Sequence, residues 1–82
     1  SANNSIVGIR EIFTRICLCG ASGFILAHNH PSGDPAPSVP DCQITKKLSA
    51  AAKLMDVQFF DHIIVGEESF VSMKERCESY FK

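Results

Sequence analysis

Ile9, Ile12, Phe13, Ile16 and Cys17 recur at intervals of three and four, with Arg10, Glu11, Thr14 and Arg15 between them, so the first patterned segment is an amphipathic helix that Gly20 ends. Gly23-Phe24-Ile25-Leu26-Ala27 is a short apolar run without alternation, which predicts a strand covered by helices on both faces. His28-Asn29-His30 follows at its C-terminal end, and Pro31, Gly33, Pro35 and Pro37 then make residues 31–37 a stiff loop. A second helix opens at Ser38. There Ser38-Val39-Pro40-Asp41 offers a capping hydroxyl, a proline tolerated in the first turn and an acid at the third helical position. Ile44, Leu48, Ala51 and Met55 are its expected buried stripe, with Lys46, Lys47 and Lys53 left for solvent. A strand over Val57 to Val65 is closed by Gly66, and a turn at Glu67-Glu68 leads to a short Phe70-Val71 strand. Ser72-Met73-Lys74-Glu75 reads as a second capping box, and Met73, Cys77, Tyr80 and Phe81 share one face of a closing helix. The order helix, strand, helix, strand, strand, helix predicts an α/β layer structure, a small sheet flanked by helices, and no internal repeat is visible.

Composition narrows the classes. With 82 residues, six Phe and one Tyr, the chain can form one small domain, and no apolar run is long enough to cross a bilayer, so a soluble protein is expected. Ser1-Ala2-Asn3-Asn4-Ser5 has neither a basic nor an apolar region and reads as a disordered or cloning-derived lead-in rather than a signal peptide, leaving residues 6–82 as the domain. Cys17, Cys19, Cys42 and Cys77 lack the pairing of a zinc ribbon and the density of a disulfide scaffold, so a reducing cytoplasm suits them. Cys17 and Cys19 are expected to be small core fillers. Eight Lys and Arg against nine Asp and Glu give a net charge of −1, which argues against an autonomous DNA-binding module.

The chemistry concentrates in one stretch. His28 and His30, two apart at a strand end, project to the same side and can meet one cation. Asp41 lies one turn into the next helix, and the proline-stiffened loop can return that helix end to the strand end at small entropic cost. Two imidazoles and a carboxylate leave a tetrahedral zinc one open position, the ligand set of a hydrolytic rather than a structural site, and strand C-termini are where open α/β sheets carry their sites. Taken singly, Ser38 and Asp41 are explained by helix capping, and the two histidines by a polar loop. Two His and one Asp would also accept other divalent ions. Asp61 and His62 adjoin on a strand and face opposite sides; one can approach the site, and a hydrogen-bonded structural role is the plainer reading. A nucleic-acid deaminase would need H-x-E with P-C-x-x-C, which is absent, and the string His28-Asn29-His30 matches the HNH nucleases in letters only.

Together, His28-x-His30, seven residues and Ser38-x-x-Asp41 reproduce the spacing H-x-H-x(7)-S-x-x-D, which resembles the JAMM motif of MPN/JAB metallopeptidases. His28-Asn29-His30-Pro31-Ser32-Gly33-Asp34-Pro35, Pro37-Ser38 and Asp61-His62-Ile63-Ile64-Val65-Gly66 look like the RadC branch, and the likeness runs from Ile9 to Ser72. It implies a partial JAB/MPN, cytidine-deaminase-like fold with Zn²⁺ on His28, His30 and Asp41, and with Ser38 hydrogen-bonding the oxyanion or the attacking water. It also implies a glutamate general base on a strand well upstream of the histidines. Glu11, Glu67, Glu68, Glu75 and Glu78 do not match that position, so the chain is expected to carry the ligands without the base.

The first expected function is therefore a zinc-dependent hydrolase domain acting on a peptide or isopeptide-like amide. The alternatives are a non-catalytic protein-interaction module and an accessory part in DNA repair, the traditional label of the resembled family. Neither a membrane nor direct DNA binding is expected. The missing upstream strands of that fold imply an uncovered strand edge through which the chain self-associates.

Overall fold

The computed structural model of the chain describes residues 8–82; the proposed lead-in at 1–5 lies outside the described residues. Helix α1 (Ile9–Cys19) leads to β1 (Gly23–Asn29), α2 (Val39–Met55), β2 (Gln58–Val65) and β3 (Phe70–Ser72), and the chain closes with the single turn α3 (Met73–Arg76) and a 3-10 turn over Glu78–Phe81. The element order is the one predicted from the pattern. Gly20 ends α1 at φ 64°, donating its N–H to the Ile16 and Cys17 carbonyls, a left-handed cap that glycine adopts without strain. The strands form one sheet in the order β1-β2-β3, with β1 parallel to β2 across the α2 crossover and β3 antiparallel to β2. No helix among the described residues is long and apolar enough to cross a membrane.

Two apolar clusters hold α2 to the sheet. Phe13 and Ile16 of α1 meet Leu48 and Ala52 of α2, with Phe24, Leu26, Val57 and Phe59 packed around them. Ile64, Val71 and Met73 form the other, flanked by Cys42, Cys77, Tyr80 and Phe81. Phe24 and Phe59 stack at 4.8 Å, and Phe13 meets Phe24 edge-on at 5.7 Å. Leu48 is wholly buried, so its truncation to Ala would cost about 2–5 kcal/mol.

The buried stripe of α2 is rotated from the expected one. It runs Asp41, Thr45, Leu48 and Ala52, with Ser49 beside it, while Met55 is exposed and Ile44 and Ala51 are only partly covered. Polar Asp41 and Thr45 lie where apolar residues were expected because both face histidines of the sheet, so their groups are satisfied underneath the helix.

Four other expectations are corrected. Cys17 and Cys19 are exposed rather than core fillers, because α1 buries only Phe13 and Ile16. Strand β1 is covered on one face, not both: burial alternates along it and Ile25 is 60 % exposed. The closing helix breaks at Cys77, whose φ of −138° is not helical, although Met73, Cys77, Tyr80 and Phe81 still pack together. Ser72 Oγ accepts from the Glu75 N–H as expected, but Glu75 does not return the bond, and the Ser72 hydroxyl donates to Asp61 at 2.6 Å. The other Asp61 oxygen accepts from the Lys74 and His62 backbone N–H groups, which fixes α3 to β2.

The register slips once, between Phe24 paired with Phe59 and Ile25 paired with Asp61, which leaves Phe60 as an extra residue on β2. The bulge changes the phase of the strand. Phe59 before it and His62 after it, three positions apart, both face α2, whereas regular alternation would have sent His62 to the opposite side. The Phe60 ring lies over Gly23, where a Cβ would come within 2.5 Å of it and push the ring aside.

Among the described residues β1 pairs on one side only, and Ile25, Phe60 and Phe70 stand exposed. Such edges and apolar surfaces recruit other chains. Sedimentation across a wide concentration range is therefore expected to show self-association that weakens in Ile25→Lys; a strictly monomeric wild-type chain would refute it.

Candidate metal centre

Three elements bring the site together. His28 is in β1, His30 just beyond it, and Asp41 in the first turn of α2, and one ligand atom from each lies within 4.8 Å of the others. The two imidazoles are on the same side with ring centroids 5.1 Å apart, as the two-residue strand spacing requires. His28 Nε2 lies 3.1 Å from Asp41 Oδ1, and His30 Nε2 lies 2.9 Å from Asp41 Oδ2. The histidine side chains are 24 % and 18 % exposed and the carboxylate 1 %, so the cluster opens to solvent on its imidazole side.

The loop is held down where the ligands need it. His30 N–H donates to the Val65 carbonyl, Gly33 N–H to the His30 carbonyl, and Glu67 N–H to the Gly33 carbonyl, which stitches the loop to the end of β2. Gly66 makes this approach possible, because a Cβ there would lie 2.5 Å from the Gly33 oxygen and 2.7 Å from Pro35 Cδ. Asp34 contributes its backbone carbonyl, 2.9 Å from His30 Nδ1.

Ser38 and Asp41 form the expected reciprocal cap. Asp41 N–H donates to Ser38 Oγ at 3.2 Å, and Ser38 N–H donates to Asp41 Oδ2 at 2.8 Å. Capping alone does not account for Asp41. A cap is worth about 1 kcal/mol, whereas burying a carboxylate costs several kcal/mol unless it is well paired. Burial would raise its pKa, yet the Ser38 N–H and hydroxyl, with His28 and His30 facing it, outweigh that and hold the carboxyl below its ordinary value.

His62 has the hydrogen-bonded role expected of it, and through His28 it also reaches the site. It is fully buried, with Nε2 3.0 Å from His28 Nδ1 and Nδ1 2.7 Å from Thr45 Oγ. Thr45 Oγ also donates to the Asp41 carbonyl at 2.7 Å. Burial and the neighbouring His28 lower the His62 pKa from 6.5 to about 4, and burial also lowers that of His28, against the pull of Asp41. The one sequence signal for this connection was the spacing Asp41, Thr45, Leu48, Ala52, which places a threonine on the buried stripe.

The donor count fits a cation. Both ring nitrogens of His30 face acceptor oxygens, the Asp34 carbonyl and the Asp41 carboxylate, but a neutral imidazole carries one N–H. The remaining contact needs a second proton or a positive ion at the position His28 and Asp41 also face. The group can hold a metal ion. Ser38 stands beside it as the helix cap, and no glutamate is hydrogen-bonded to the three residues among those described.

Comparison with known proteins shows the family of the chain. The family model described as the RadC-like JAB domain matches residues 1–78. A UPF0758 protein of Bacillus licheniformis is 47 % identical over 76 residues, covering 93 % of this chain and 34 % of that protein. UPF0758 proteins of Bacillus pumilus, 47 % identical, and Bacillus cereus, 46 % identical, match over the same shares of each chain. The chain thus spans about a third of the length of these curated relatives.

His62 gives the metal-free chain a definite pH dependence. Its folded pKa is depressed, so between pH 6.5 and about 4 the unfolded chain binds a proton that the folded chain refuses. Stability is fully present above pH 6.5 and falls with pH by up to about 1.4 kcal/mol per unit, roughly 3 kcal/mol in all from this residue. Chemical denaturation should show the wild-type chain losing that margin relative to His62→Gln across the interval. A difference between the two that stays constant would contradict it.

Proposed function

The chain belongs to the RadC-like JAB domain family, and on that premise we propose that it is the metal-binding part of a zinc-dependent hydrolase-type domain whose ligands are His28, His30 and Asp41. The observation that carries this reading is the convergence of two partly exposed imidazoles on one buried carboxylate, with more acceptors than protons between them. Zinc suits two nitrogens and one oxygen in a tetrahedral set and, when bound, supplies a Lewis acid with one position left open.

The chain's own residues divide the remaining work. Asp41, held by the Ser38 N–H, keeps its charge aimed at the imidazoles. Ser38 Oγ accepts the Asp41 N–H, and its own hydrogen, which supports the Asp41 carboxylate, can turn instead to an oxygen bearing developing negative charge. The reaction class is hydrolysis of a peptide or isopeptide-like amide. The proton-transfer group is proposed to come from elsewhere in the whole protein, since none of the glutamates described here is hydrogen-bonded to the ligands.

A second reading is a protein-interaction module with a non-catalytic metal, favoured by the exposed apolar residues Ile25, Phe60 and Phe70. Direct DNA contact is not proposed, and the accessory part in DNA repair has only the family label behind it. Charge gives no support for it, with eight cationic against nine anionic side chains.

Elemental analysis after zinc loading and dialysis should find one equivalent per wild-type chain and none in His28→Ala or Asp41→Asn. Retention of metal in both variants would remove the proposed ligand set. Amide hydrolysis by the zinc-loaded full-length protein that is lost in His28→Ala would separate the hydrolase from the interaction module; full loading with no turnover on a broad peptide and isopeptide panel would favour the module.

A further inference from the structure

We infer that His62 and Thr45 set the tautomer of His28 from behind, so that the His28 Nε2 lone pair, and not a proton, faces the space shared with His30 and Asp41. The inference deepens the metal-centre reading and rests on it. It follows from counting hydrogens along one chain of contacts. Thr45 Oγ lies 2.7 Å from the Asp41 carbonyl and 2.7 Å from His62 Nδ1, and the hydroxyl has one hydrogen. The carbonyl can only accept, so that hydrogen goes to Asp41, and His62 Nδ1 must donate to Thr45 Oγ. With its hydrogen on Nδ1, neutral His62 presents Nε2 as an acceptor. Its partner there, 3.0 Å away, is His28 Nδ1, which therefore carries the hydrogen. A neutral His28 then has none on Nε2.

The opposite polarity turns the Thr45 hydroxyl toward His62, gives up its bond to the Asp41 carbonyl and ends with a proton on His28 Nε2, where the cation would bind. With a cation in the shared space only the first polarity satisfies every contact; without one, a bare His28 Nε2 would face Asp41 Oδ1 at 3.1 Å with no hydrogen between them. His30 is set independently by the Asp34 carbonyl, which takes its Nδ1 hydrogen and leaves Nε2 for the site. Each imidazole thus has its own acceptor behind it, one a loop carbonyl and the other a buried histidine. His62 and Thr45 are positioning residues, because neither ligand atom set includes them.

The test combines nitrogen-15 NMR of the ring nitrogens with zinc affinity measured by competition against a chelator, on the full chain. In the zinc-loaded wild type His62 should show a protonated Nδ1 and a bare Nε2, and His28 a protonated Nδ1. Affinity should fall about 10- to 100-fold in His62→Phe and in Thr45→Val, the usual range for loss of an outer partner, and return toward the wild-type value in His62→Gln and Thr45→Ser. Gln keeps an acceptor near the Nε2 position and Ser keeps the hydroxyl, so loss with recovery is not what a packing defect alone would give; denaturation of each metal-free variant shows which remain folded. If His62→Phe does not fold, the Thr45→Val and Thr45→Ser pair decides. Equal affinity across the folded variants, or a protonated Nε2 on His62, overturns the inference while leaving the metal centre standing. A wild-type chain that binds no zinc removes the metal-centre reading instead, and the inference that rests on it.

Discussion

A buried carboxylate has to be paired, and most of the local architecture around Asp41 follows from that requirement. Its side chain is 1 % exposed and takes the Ser38 N–H and faces two imidazoles. Leaving such a group unpaired would cost about 3–5 kcal/mol, a large part of what a domain this small has in reserve. The start of α2 and the end of β1 are therefore tied to one another by this side chain, while backbone hydrogen bonds hold the loop between them to the end of β2. The helix cap and the ligand set share one residue, so the geometry that starts α2 also aims the carboxylate.

Behind this cluster the core is divided. Along α2, Thr45 falls between Cys42 of one apolar cluster and Leu48 of the other; along β2, His62 falls between Ile64 and Phe59 in the same way. A polar layer in this position is tolerated because among the described residues every buried side-chain nitrogen and oxygen has a partner. It is also what connects the fold to the site, since the layer ends on His28 Nδ1. The bulge at Phe60 makes the layer possible by bringing His62 to the α2 side, a known use of bulges near functional sites.

Much of this was legible in the chain. The three-and-four spacing in α1, the glycine that ends it, the Ser38-x-x-Asp41 cap and the strand-end histidines are local features, and local chemistry fixes them. The α/β order and the convergence of His28, His30 and Asp41 followed from them. What was not legible depends on register and on neighbours. Phe60 looks like any strand residue, and nothing in its identity marks the extra position that reverses the facing of Asp61 and His62. In α2 the apolar residues Ile44 and Met55 dominate the pattern over Asp41 and Thr45, whose burial makes sense only once the histidines beneath them are known. Cys17 and Ile25 were expected to be covered because apolar residues usually are, and whether a second layer lies over them is not encoded in their own segment.

The central claim is the ligand set, and X-ray absorption at the zinc edge of the loaded chain reads it most directly. The account predicts nitrogen and oxygen scatterers at about 2.0–2.2 Å, with the outer-shell pattern of two imidazoles and no sulfur. A sulfur shell at about 2.3 Å, which would place Cys42 or Cys77 on the metal, or a first shell without imidazole, would contradict it.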